Sequence, residues 1–152
     1  MSDNPARLVV EGVEKCLSIA GTWHAWDGRP IGGTADGRPN VWTPHKALRR
    51  ITDHLIDHLH EVQALLAGAE PVPDEWHGRF VTLEADWARL TEPDFDEANS
   101  RLRRLARTYL LMYEMAGPPA WDAPRAPAWT LREIAEHVAH VYQYAEFVGR
   151  LM

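Results

Sequence analysis

His54 and His58 stand four residues apart in TDHLIDHLHEV. On a helix that spacing puts both imidazoles on one face, one turn apart. His137, in LREIAEHVAH, occupies a similar helical setting near the C-terminus. A third imidazole from a facing helix would complete a three-nitrogen metal site with open coordination positions, the feature that separates catalytic metal sites from closed structural ones. Imidazole suits Zn, Fe, Ni and Cu better than Mg or Ca. A ligating histidine usually passes its second N–H to a carboxylate or carbonyl, and Asp53, Asp57, Glu61, Glu133 and Glu136 are near enough in sequence to serve. An i,i+4 histidine pair also occurs on solvated helices without function, so spacing alone leaves two readings, a metal centre or incidental histidines.

The remaining reactive side chains are less informative. Of the eight histidines, His60 and His140 read as surface or structural, and His45, just inside a helix start, reads as neutral packing because a helix N-terminus disfavours a cation. His24 and His77 sit beside tryptophans in loops and read as surface residues. Cys16, the only cysteine, falls on the core face of a helix and reads as an inert buried thiol. No Ser-His-Asp signature, glycine-rich phosphate loop or paired-carboxylate motif stands out, so no catalytic residue can be named beyond the metal set.

Four amphipathic helices would position these groups. The first runs from about Pro5 to Ala20, with Leu8, Val9, Gly12, Val13, Cys16, Leu17 and Ala20 on one face; a hairpin around Glu11-Gly12 is the weaker rival. The second follows Thr43-Pro44, a natural cap and first-turn pair, and runs to about Ala67. Its core stripe is Leu48, Ile51, Leu55, Leu59, Val62 and Leu66, with the histidines on an adjacent stripe. The third runs from Phe95, capped by Asp94, to Ala116, with Phe95, Ala98, Leu102, Leu105, Tyr109, Met112 and Ala116 inward. The fourth starts after Thr130, where Thr130 and Glu133 form a capping box, and reaches nearly to Met152, with Ile134, Val138, Val141, Ala145 and Val148 inward. The expected fold is all-α, a four-helix bundle with long inter-helix connections in a single domain, residues 1–152. The connections 21–43 and 68–93 exceed a tight turn and could cross the bundle; the second has room for a short helix near Thr82–Leu90. All seven tryptophans lie outside these helices, placed to seal the bundle ends or to form a lid over a ligand.

Composition narrows the classes. A chain of 152 residues can bury a core without disulfides, and one cysteine forms none, which fits a reducing cytoplasm. The N-terminus MSDNPARL lacks signal-peptide character, and no apolar run approaches a membrane span. A net charge of −6 argues against nucleic-acid binding; Arg101, Arg103, Arg104 and Arg107 read as a solvated helix face paired with Asp96 and Glu97.

Two segments resemble the DinB-like, or YfiT-like, superfamily of bacterial four-helix bundles. Trp129 to Ala139, WTLREIAEHVA, is similar to the family's tryptophan–Ser/Thr helix start followed by a ligand histidine. Asp53 to Leu59, DHLIDHL, is similar to its paired-ligand helix. The resemblance implies that His54, His58 and His137 bind one divalent transition metal (Zn, Ni or Fe) and that a low-molecular-weight thiol or water is activated there against a small-molecule substrate, as in metal-dependent hydrolases and thiol-dependent S-transferases. It also implies a homodimer, to which Leu110, Leu111 and Met115 would lend an apolar helix face. The two segments occur here in the reverse of the family's order, which leaves helix connectivity open. The alternative is a non-catalytic helical binding or dimerisation module with incidental histidines.

Overall fold

A computed structural model describes residues 3–35, 37–76 and 80–152. The chain is mostly helical: α1 Arg7–Ala20, α2 Pro44–Leu66, α3 Glu92–Ala116, the single turn α4 Pro118–Trp121, α5 Leu131–Ala139 and α6 Tyr142–Val148. One antiparallel hairpin joins β1 Ile31–Ala35 to β2 Arg38–Trp42, in register from Ile31↔Trp42 to Ala35↔Arg38. No helix among the described residues is long and apolar enough to cross a membrane.

The hairpin lies in the long connection 21–43 and adds a small two-stranded sheet to a mostly helical fold. Its sequence has no alternating pattern, and tertiary contacts hold it instead. Trp42, fully buried, stacks on Phe147 with ring centroids 4.9 Å apart. Lys46, one turn into α2, donates from its buried ammonium to Asn40 and to the Val41 carbonyl. In the second connection a 3-10 turn, Glu84–Trp87, lies inside the stretch expected to carry a short helix. Its Asp86 is buried and ion-paired to Arg49 of α2.

Local signals set most helix ends. Thr43 caps α2 by accepting the Lys46 N–H, and Pro44 needs no partner at the first position. Thr130 and Glu133 form the expected capping box on α5. The third helix starts earlier than expected: Thr91 is its cap, and Asp94 is the third helical residue, reaching back to the Thr91 N–H. Directly after α1, residues 21–25 make a tight turn whose Trp23 is fully buried and donates to the Gly149 carbonyl at 2.8 Å.

The fourth expected helix is broken. It stops at Ala139 and resumes at Tyr142, with i→i+3 bonds from His140 to His137 and from Val141 to Val138 in between. Neither proline nor glycine causes this. The break lies where α5 meets α1, and the contact is so close that a Cβ on Gly12 would sit 2.3 Å from the Ala139 carbonyl oxygen. The break thus coincides with the closest approach of the α1 backbone to α5.

α1 packs on α3, α5 and α6, and α2 packs on the same three. Asn4 bonds to Leu110 and Glu114 while Glu14 pairs with Arg103, so α1 and α3 run antiparallel. His45 lies by Asp94, and Tyr109 reaches Leu55, so α2 and α3 run parallel. The long connection between them therefore travels back along the molecule. The buried line of α3 is Leu102, Ala106, Tyr109 and Tyr113; Phe95, Ala98, Leu105 and Met112, expected inside, are only partly buried. The tyrosines can be fully buried because each hydroxyl finds a carbonyl, Tyr109 that of Leu55 and Tyr113 that of Leu131, both at 2.6 Å. Tyr109→Phe is expected to lose about 1–2 kcal/mol in chemical denaturation, since the Leu55 carbonyl keeps its burial and loses a donor.

Candidate metal centre

His54 and His58 project from α2, and His137 projects from α5 to meet them. Ring centroids are 4.7 Å apart for His54–His58, 5.1 Å for His54–His137 and 4.8 Å for His58–His137. One nitrogen of each lies within 4.8 Å of the other two. The three residues singled out by spacing thus come together at one point between two helices. His54 is buried, His58 half-buried and His137 exposed, so the cluster opens to solvent on the α5 side.

The donor set suits a transition metal. Burial, and then the neighbouring His58, Arg50 and His137, push the His54 imidazole down to about 2, which keeps its lone pair free of a proton. Partial burial and His58 push His137 down as well. His58 is oriented by Glu61, whose carboxylate lies 2.8 Å from Nδ1; with the proton on that nitrogen, Nε2 is left to bind. An ion held by all three nitrogens at about 2.0–2.1 Å would need them about 3–3.5 Å apart. Of the carboxylates expected to support the site, Glu61 does so and Asp57 lies 3.8 Å from His58. Asp53 pairs with Arg50, Glu133 caps α5, and Glu136 offers its carbonyl to His140.

The other histidines stay apart from the cluster. His60 accepts the Val72 N–H at 2.8 Å, His140 lies against the Glu136 carbonyl, and His45 lies by the Arg89 carbonyl and Asp94. His24 is exposed, and His77 lies outside the described residues. Cys16 is fully buried, and burial lifts its thiol to about 12, so it remains protonated and inert. The arginines of α3 are solvated as expected, with Glu97 pairing Arg101, but Glu14 of α1, not Asp96, pairs Arg103.

The tryptophans differ in burial. Trp23, Trp26, Trp42 and Trp121 are buried in or against the core. Trp129, 45 % exposed, sets its ring 5.0 Å from that of His137 and forms one wall of the opening. Tyr144, on the same helical stripe as His137 in the sequence, sets its ring 5.6 Å from that of His54; sequence reasoning missed Arg50, whose guanidinium packs on Tyr144 at 4.8 Å. The signal for Arg50 was available: Lys46, Arg50, His54 and His58 recur every fourth residue along α2. Cavities of about 390, 380 and 400 Å³ lie along the α2–α3 groove, and none is lined by the three histidines.

Comparison of the chain with protein-family models, with curated proteins and with solved structures finds no match.

Proposed function

We propose that the chain is a metal-dependent enzyme of DinB-like type, a four-helix bundle whose His54, His58 and His137 hold one divalent transition ion. The observation that carries the reading is the convergence of three imidazole nitrogens from two helices to within 4.8 Å. Zn, Ni and Fe suit the donors. The ion, when bound, supplies Lewis acidity that makes a thiol or water nucleophilic near neutral pH. The chain's own residues do the rest. Burial keeps His54 neutral, Glu61 fixes the tautomer of His58, and exposed His137 and Trp129 border the side from which a small-molecule substrate or a low-molecular-weight thiol enters. The net charge of −6 disfavours a nucleic-acid partner, and the single buried cysteine suits a cytoplasmic setting.

Elemental analysis of purified protein tests this. One equivalent of a transition metal is expected, removable by chelator and absent from the His54→Ala/His58→Ala/His137→Ala protein. Metal-free protein that takes up no ion from excess would favour the non-catalytic binding or dimerisation module.

The same reading includes a homodimer through the α2–α3 face. Ile56, Leu66, Leu111 and Met115 are exposed there, Met115 at 87 %, whereas Leu110 packs on the core and drops out of that surface. Light scattering at high micromolar concentration is expected to give twice the chain mass, and a monomer mass would end the idea.

A further inference from the structure

The basic row on α2 contains one member with a buried donor atom that has no hydrogen-bond partner among the described residues. Lys46 is wholly buried, yet its ammonium has three oxygen partners: Asn40, the Val41 carbonyl and Thr82. His54 and His58 face His137. Arg50 lies between Lys46 and His54 and is 6 % exposed. Its Nη1 meets Asp53 at 3.2 Å, while its Nε is buried with no hydrogen-bond partner among the described residues. Its flat face packs on two rings, Tyr144 at 4.8 Å and Phe80 at 5.6 Å. Tyr144 also touches His54, so guanidinium and imidazole share one wall, a single helical turn apart.

A guanidinium binds oxyanions through two parallel N–H bonds along one edge of its planar fork. Engagement of Nη1 by Asp53 leaves the Nε–Nη2 edge for this purpose. A buried guanidinium N–H without an acceptor is costly, and an oxyanion on that edge would supply one. We propose that Arg50 receives the carboxylate of the small molecule bound at the three histidines, so that this molecule is an anion whose reacting end points toward them. The proposal rests on the metal-centre reading and adds the substrate's charge to it.

The test uses cobalt-loaded protein, whose visible spectrum reports thiolate binding at the ion, titrated with 3-mercaptopropionate and with neutral 2-mercaptoethanol. Wild-type protein is expected to bind the carboxylated thiol at least about tenfold more tightly, the worth of a charge-assisted pair. Arg50→Met is expected to bring the two affinities within about twofold, and Arg50→Lys to keep part of the difference. Equal affinities in the wild type, or a preference that survives in Arg50→Met, would overturn the proposal. Should Arg50→Met fail to fold, acetate competition on the wild type decides. Acetate is expected to weaken 3-mercaptopropionate and spare 2-mercaptoethanol, and equal competition against both would overturn it. A protein that takes up no cobalt gives no spectrum with either thiol, which marks the separate failure of the three-histidine reading and takes the Arg50 proposal with it.

Discussion

At neutral pH the metal-loaded protein is expected to melt about 5–10 °C above the chelated protein, and His58→Ala is expected to erase that difference. An ion present at about a hundred times its dissociation constant adds about 2.7 kcal/mol to the folded state, and in a chain of this size each kcal/mol moves the midpoint by a few degrees. The dependence on pH has a defined sign. Burial holds His54 down to about 2 in the fold, whereas in the unfolded chain it titrates near pH 6.5. Between these values the unfolded chain binds the extra proton, so even chelated protein loses stability as pH falls below about 6.5. Protons also compete with the ion for the same lone pairs. The metal increment is therefore present above about pH 6.5 and shrinks below it, and the loaded and chelated curves converge in acid. His58→Ala with excess ion should follow the chelated curve and still fold, because His58 is only half-buried and the apolar core is untouched. Melting temperature against pH for the three samples checks this. Superimposed loaded and chelated curves would mean that the histidines hold no ion.

Gly12→Ala is expected to destabilise the fold by about 2 kcal/mol and to weaken metal binding about tenfold. A methyl at Gly12 would lie 2.3 Å from the Ala139 oxygen and 3.1 Å from its carbonyl carbon. Both are backbone atoms, so no side-chain rotation relieves the overlap, and α1 and α5 must separate. Overpacking of this kind costs about 1–3 kcal/mol or more, and the better helix propensity of alanine returns less than about 1. Ala139 is two residues beyond His137, so the separation shifts a ligand. Gly32→Ala is the control, since a Cβ there meets nothing within 4 Å. Denaturant unfolding and metal titration of both variants check the expectation. A Gly12→Ala protein as stable as the wild type would show that the α1–α5 contact yields freely.

The residues of the cluster were legible because their signal is local. A period of four on an amphipathic helix names a face, and the stripes of α2 and α5 put His54, His58 and His137 at the margin of one core. Thr43-Pro44 and the Thr130–Glu133 box were legible for the same reason, each being a cap written within four residues. What could not be read depends on contacts between distant residues. The hairpin is held by Trp42 on Phe147 and by Lys46 reaching back to Asn40. The interruption after Ala139 lies against Gly12, more than a hundred residues away in the chain. The inward line of α3 follows its tyrosines because their hydroxyls find carbonyls on α2 and α5, a partnership periodicity cannot foresee. In TEPD both Thr91 and Asp94 are good caps, and the choice between them falls to the residue whose hydroxyl meets the third N–H.

X-ray absorption on protein loaded with one equivalent of zinc addresses the central claim most directly. Scattering from three imidazoles at about 2.0–2.1 Å is expected, with the remaining coordination from light atoms such as water oxygen, and one imidazole should vanish in each of His54→Ala, His58→Ala and His137→Ala. A spectrum with one imidazole or none, or one unchanged by all three substitutions, would contradict the account.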